Sequence, residues 1–154
     1  MVKEFEGLRE DEINLLLKTP AYVAILIGGA DGEIDKKEYA EAVEILHLKQ
    51  SKAREQLIDY FHEVGKTFQQ DLDRLIKELP EDTEARTKAI STELRKLNII
   101  LPKIDKTFAI KLYASLKEFA KRIAEASGGV LGYLSVSFEE SQLLDLKMIH
   151  EPKK

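Results

Sequence analysis

Apolar residues spaced three and four positions apart dominate residues 51–79 of the chain. An α-helix completes a turn every 3.6 residues, so this spacing places large side chains along one helix face. Seven residues form that face: Leu57, Phe61, Val64, Phe68, Leu72, Leu75 and Leu79. Because one apolar helix face cannot be buried alone, the pattern requires further helices that pack against it.

The same periodicity predicts helices along the rest of the chain. Thr19 followed by Pro20 predicts an N-cap and a first helical position, and Asp105 predicts another N-cap. We expect helices over about 10–18, 20–28, 36–47, 51–79, 90–101, 105–123 and 137–148. The β-branched residues do not alternate, so no strand is expected. The predicted fold is all-α, a single compact bundle of six to seven helices over residues 1–154, with more than about 60% helix.

Composition agrees with one domain that contains a substantial core. The chain has 154 residues, of which 44% are hydrophobic and 34% charged. It has no cysteine, which excludes disulfides, thiol nucleophiles and cysteine-based metal sites. No apolar run approaches the roughly 18 residues needed to span a bilayer. We expect a cytoplasmic protein with no membrane span and with a frayed end at residues 152–154.

The charge distribution is uneven. Net charge is −4 over the chain, yet residues 1–45 contain eleven acidic and five basic side chains. An acidic balance argues against a nucleic-acid binder, and Lys117, Lys121 and Arg122 are interpreted as a solvated helix face. A protein partner is expected instead.

Sequence motifs of known catalytic sites are missing. The three histidines, His47, His62 and His150, are far apart and lack metal-ligand spacing. A lone histidine on an amphipathic helix is more often structural than catalytic. An enzyme, such as a metal-dependent hydrolase that uses acidic residues, is therefore the least favoured class.

Four carboxylates lie within residues 30–38, around the glycine of an Asp-Gly turn. Asp35 and Glu38 have the spacing of a capping box, in which each side chain accepts a hydrogen bond from a backbone N–H of the other. Asp31, Asp35 and Glu38 also match the second half of a calcium-binding EF-hand loop, but Ile27 and Gly29 occupy the first two ligand positions. A closed, high-affinity calcium cage is therefore not expected.

A partial copy of this motif begins 102 residues later in the chain. Ser137 and Glu140 form a second capping box, and Glu139 precedes Glu140. Each copy follows an apolar helix that ends in small residues. The sequence therefore predicts a degenerate repeat of helix, loop and capped helix.

With these two motifs the chain resembles the TerB-like family, helical domains named for a tellurite-resistance protein and also found at the N-terminus of DjlA co-chaperones. The resemblance implies a helical bundle in which the two motifs lie near a pseudo-twofold axis and acidic residues bind a divalent cation. By position those residues are Asp31, Asp35 and Glu38, with Ser137, Glu139 and Glu140 as residues of the second motif. The matching segments are Ala30-Asp31-Gly32, Ile34-Asp35, Glu38, Ala126-Ser127-Gly128-Gly129, Leu131-Gly132, Val136-Ser137 and Glu139-Glu140.

Two interpretations of the acidic turn remain open. Asp-Gly favours a turn and Asp35 with Glu38 favours a helix start, which explains the three residues without any ligand. Alternatively, the three carboxylates and water form an open site for Ca²⁺, Mg²⁺ or Mn²⁺. We expect a non-enzymatic binding or sensing module of bacterial stress biology, with a weak cation site and no other cofactor. The alternative is a scaffold or oligomerisation domain without metal.

The glycine-containing loop 128–135 has a similar ambiguity. Val130, Leu131, Tyr133 and Leu134 either cover the core or form an exposed patch for a partner. Large exposed apolar patches are uncommon in monomers, so burial is the favoured interpretation.

Overall fold

The computed structural model describes residues 2–28, 43–46, 55–126 and 145–152. Helix makes up 81% of the structure, and the described residues contain no strand, which confirms the predicted all-α class. In the described residues the α-helices with defined bounds are α1 (Glu10–Gly28), α2 (Ile58–Glu78), α3 (Thr83–Arg95), α4 (Leu97–Ile100) and α5 (Lys106–Ala126). Short 3-10 helices occupy Lys3–Phe5, Glu55–Leu57 and Leu101–Lys103, and residues 43–46 are also helical.

Helix α1 is the centre of the described bundle, since it contacts α2, α3, α4 and α5. Helices α1 and α5 run in the same direction. At one end Lys103, just before α5, contacts Glu12 of α1; at the other, a methyl group placed on Gly28 would lie 3.7 Å from Cγ2 of Ile123. The two C-terminal helix ends are therefore neighbours.

The predicted apolar face of residues 57–79 forms much of the core. Six of its seven residues are buried, and Leu79 is partly buried and packs against them. Aromatic rings join α2 to α5 through edge-to-face contacts, with Tyr60 and Phe108 centroids 6.3 Å apart and Phe68 and Phe119 centroids 6.3 Å apart. These two contacts show that α2 and α5 also run in the same direction.

The prediction of two helices divided at Thr19 and Pro20 is wrong, because α1 continues through both residues. Thr19 is not an N-cap: its hydroxyl donates to the carbonyl of Leu15, at 2.7 Å. A proline inside a helix lacks the N–H that would bond the carbonyl four residues earlier, here that of Leu16. The Tyr60 hydroxyl of α2 donates to this carbonyl at 2.7 Å. A tertiary hydrogen bond thus replaces the missing helical one.

Aspartates cap two of the helices. Oδ2 of Asp82 accepts from the N–H of Ala85, 2.9 Å away, and starts α3 after the break at Pro80. Oδ2 of Asp105 accepts from the N–H of Phe108, also at 2.9 Å, which confirms its predicted role as the cap of α5.

The prediction of a last helix over 137–148 is wrong for residues 145–148, which form turns. Leu146 has a φ of 51°, in the left-handed region, so the helix cannot continue through it. Residues 137–144, and residues 36–42 of the predicted third helix, lie outside the described residues.

Candidate functional site

Every residue predicted for the cation site and the second motif lies outside the described residues. This holds for Asp31, Asp35, Glu38, Ser137, Glu139 and Glu140, and also for loop 128–135. The structure does describe the two helices that lead into the motifs. Helix α1 ends at Gly28, three positions before Asp31, and α5 ends at Ala126. These ends lie side by side through Gly28 and Ile123.

The C-terminal end of α1 is buried and carries the partial negative charge of the helix dipole. All residues from 19 to 28 are buried. The last turn of α1 carries no basic residue, so no side chain there compensates the partial negative charge of the C-terminal carbonyls. A cation close to this helix end would be stabilised by that charge, which is the electrostatic setting in which the acidic motif begins.

A second candidate site surrounds Glu12 at the opposite end of α1. Its carboxylate is buried, with an exposed fraction of 4%, and both oxygens have partners. Oε2 accepts from Nζ of Lys103 at 2.7 Å, and Oε1 accepts from the backbone N–H of Arg9 at 3.0 Å. The hydrogen bond from Lys103, followed by that from Arg9, lowers the pKa of Glu12 below its ordinary value. A paired, acidic carboxylate of this kind is a poor proton acceptor and serves structure.

The groove beside Glu12 has a volume of about 260 Å³. Charges of both signs line it together with apolar side chains: Arg9, Asp11, Glu12, Leu15, Glu93, Lys96, Ile99 and Ile100. Lys96 is paired with Glu93 at 2.6 Å, and Arg9 with Asp11 at 3.2 Å. Because these charges are matched within the groove, it does not select a ligand of either sign.

A third candidate is a cavity of about 340 Å³ beside the start of α5. Its walls come from Asn98 of α4, the Leu101–Lys103 turn, α5 and residues 150–152. Pro152 lines it, which differs from the frayed end predicted for that residue. Asn98 binds the C-terminal segment here: its Nδ2 donates to the carbonyl of Met148 at 3.0 Å, and its Oδ1 accepts from the N–H of His150 at 2.7 Å.

Histidines and basic residues form no catalytic or phosphate-binding constellation in the described part of the chain. His62 and His150 are exposed, and His47 lies outside it. In the basic group, Lys117 lies 5.5 Å from the centre of the Tyr113 ring, and Arg122 pairs with Glu118 at 3.2 Å.

In the described ranges no group of three or more histidine or acidic side chains is arranged to hold a metal ion. No helix in these ranges is both long and apolar enough to cross a bilayer.

Three residues with defined polar roles were not predicted from the sequence: Glu12, Tyr60 and Asn98. Only Glu12 carried a local signal, because it stands three positions after Arg9 and accepts from the N–H of that residue, as the last residue of a capping box does. The partners of Tyr60 and Asn98 lie 44 and about 50 positions away in sequence. No local sequence pattern predicts a hydrogen bond between residues so far apart in the chain.

Comparison of the chain with protein-family models, curated proteins and solved structures finds no match. None of these comparisons supports or opposes the TerB-like resemblance. It therefore stays a prediction from the two motifs.

Proposed function

We propose that the chain is a TerB-like binding or sensing module that acts without catalysis. In this proposal the carboxylates of Asp31, Asp35 and Glu38 hold a divalent cation, Ca²⁺, Mg²⁺ or Mn²⁺, through an open and partly hydrated site. Helices in 36–47 and before residue 145 would complete a bundle of six to seven helices with an internal repeat. The expected setting is bacterial stress biology in the cytoplasm, with a protein partner.

One observation carries the proposal: the helices that precede the two motifs end beside each other. Gly28 of α1 and Ile123 of α5 lie next to each other, and both helices run in the same direction. The two motifs therefore start from the same end of the bundle, although about 100 residues separate them in sequence. A tandem repeat whose halves meet near a pseudo-twofold axis requires this arrangement.

The surroundings of this end favour a cation over an anion. Two helix C-termini meet there, and neither α1 nor α5 has a basic residue in its last turn. Because α1 is also the central helix, a cation held just beyond its end should stabilise the whole bundle. Cation binding should then be visible in global unfolding.

The first prediction is that a divalent ion raises the stability of the full chain. A ligand that binds only the folded state adds RT ln(1 + [L]/Kd), about 2.7 kcal/mol at a hundredfold excess over Kd. Calorimetric titration and thermal melts with Ca²⁺, Mg²⁺ and Mn²⁺ at physiological ionic strength measure the affinity and the gain. Glu38→Gln should abolish both, while its amide can still serve the capping box.

The matched control is Asp73→Asn, which neutralises an exposed acid on α2 and should leave the gain unchanged. Absence of binding tighter than about millimolar, the weak limit of known calcium modules, would contradict the cation site. The acidic turn would then be a helix cap only, and the scaffold or oligomerisation alternative would take its place.

A further inference from the structure

Ile99 of α4 is the most exposed large hydrophobic side chain in the described ranges, with an exposed fraction of 67%. Ile58 and Ile76 of α2 follow at 43% and 41%. Single exposed aliphatic residues are common on protein surfaces and need no partner. Ile99 differs from the two isoleucines of α2 because it lines the groove of about 260 Å³ beside Glu12.

The position of Ile99 is fixed by the helix that carries it. Leu97 and Ile100 of α4 are buried, and α4 packs against α1 and α3. An isoleucine is branched at Cβ and has few rotamers, so it loses little conformational entropy when it makes a contact. Ile99 is therefore a projecting apolar side chain that is already held in one place.

The groove next to Ile99 has aliphatic walls. Leu15 of α1 and Ile100 of α4 line it, and both are buried. Its volume of about 260 Å³ is several times the roughly 30 Å³ that one water molecule occupies in the liquid, so an aliphatic side chain can enter it. A projecting isoleucine and a groove that can receive one thus lie side by side on the same surface.

Charged side chains line the same groove in pairs of opposite sign. Arg9 lies 3.2 Å from Asp11, and Lys96 lies 2.6 Å from Glu93. All four are at least partly exposed, whereas Glu12 is buried and has partners of its own. An apolar centre with a polar, solvent-accessible rim is the usual organisation of a protein–protein interface.

A second copy of the chain is the partner that suits this surface. In a twofold dimer the same surface meets itself, so it must be complementary to its own copy in shape and in charge. The isoleucine and the adjacent groove satisfy the first condition. Two basic and two acidic side chains satisfy the second, because a rim of one sign would repel its copy and select a partner of opposite charge.

We infer that the chain forms a twofold dimer through this surface, with Ile99 of each copy in the groove of the other, against Leu15 and Ile100. The basic rim residues of one copy then meet the acidic rim residues of the other. Because the twofold axis repeats every contact, each side chain contributes twice. The surface lies at the end of α1 opposite to the acidic motif, and the inference does not depend on cation binding.

Sedimentation of the full chain without added divalent ions tests the dimer. Over about 1 µM to 1 mM, the range of weak to moderate association, wild type should pass from monomer to dimer. Ile99→Asp should raise the Kd of the dimer by about a hundredfold, because symmetry brings two unpaired carboxylates into the apolar centre. The matched controls are Ile58→Asp and Ile76→Asp, at the exposed isoleucines of α2, and should leave the Kd unchanged.

Charge reversal tests the rim independently of Ile99. One variant carries Arg9→Glu with Lys96→Glu and has an acidic rim, and the other carries Asp11→Lys with Glu93→Lys and has a basic rim. Each should be monomeric alone, because it repels its own copy. An equimolar mixture should form a heterodimer whose Kd rises with ionic strength.

A wild type that stays monomeric up to about 1 mM would overturn the proposal. A dimer that a folded Ile99→Asp does not weaken would also overturn it, since association would then use another surface. Circular dichroism establishes that each variant is folded. If Ile99→Asp does not fold, the charge-reversal pair decides, and a mixture without heterodimer contradicts the inference. Neither result bears on the cation site, which has its own titration.

Discussion

The hydroxyl of Tyr60 occupies a position that a backbone N–H occupies in an ordinary helix. Pro20 leaves the Leu16 carbonyl of α1 without its helical donor, and Tyr60 donates to it at 2.7 Å. Tyr60 is fully buried, and burial raises the pKa of its hydroxyl well above the ordinary value. The group is therefore protonated, and able to donate, at neutral pH.

We expect Tyr60→Phe to lower the free energy of unfolding by about 1–3 kcal/mol, the usual cost of a buried unsatisfied polar group. In a Pro20→Ala background the backbone N–H at position 20 can bond Leu16, so the same substitution should cost less. Urea unfolding of the four proteins gives the coupling energy. The control is Tyr22→Phe, which also removes a hydroxyl from the core. Additive losses at Tyr60 and Pro20 would contradict the exchange of donors.

Two of the described helices, α3 and α5, start with an aspartate placed one residue before the first turn. Asp82 and Asp105 each accept from the N–H three positions later at 2.9 Å. The Asp105 carboxylate also accepts from Nε2 of Gln56 at 3.4 Å, which connects the start of α5 to the turn before α2. A local cap thereby contributes to tertiary packing.

At the scale of the element, Asp82→Ala and Asp105→Ala should each lower the free energy of unfolding by about 0.5–2 kcal/mol, as loss of an N-cap does. Asp→Asn at either position keeps a capping oxygen and should recover most of the loss. Denaturant midpoints at pH 7 measure both effects. Asp73→Ala, on the exposed middle of α2, provides the comparison. Equal midpoints for Asp82→Ala, Asp105→Ala and Asp73→Ala would show that the capping bonds contribute nothing.

Across the whole molecule, the Glu12–Lys103 pair joins the beginning of α1 to the turn before α5. The two residues are 91 positions apart, and the pair has one buried partner and one half-exposed partner. The pKa of Glu12 is lowered from its ordinary value of 4.5, first by Lys103 and then by Arg9. Folding therefore favours the charged carboxylate.

From this shift we expect an acid-dependent contribution to stability. It is complete above the unfolded pKa of 4.5 and is lost as the pH falls through the lower folded pKa. Glu12→Gln should lower the urea midpoint at pH 7, and the difference from wild type should shrink below pH 4.5. Lys103→Met should do the same. A difference that stays constant between pH 7 and pH 3 would contradict the assignment.

The candidate sites differ in how far the sequence could predict them. The acidic turn can be predicted from the sequence, because Asp, Gly and Glu at this spacing favour a turn followed by a helix cap. The cavity beside the start of α5 cannot be predicted in this way, since Asn98 is an ordinary polar residue until the fold brings Met148 and His150 beside it. Its two partners were predicted to lie at or just beyond the end of a helix.

The sequence by itself determined the all-α class, the buried face of α2 and the Asp105 cap. Each of these follows from the spacing of residues within a few helical turns, because that spacing alone decides which side chains share one helix face. Tertiary structure alone decided that α1 continues through Pro20, that Glu12 pairs with Lys103, and that residues 145–152 lie against the bundle without forming a helix. In each case a polar group is hydrogen-bonded by a residue distant in sequence, and only the packed bundle creates that contact.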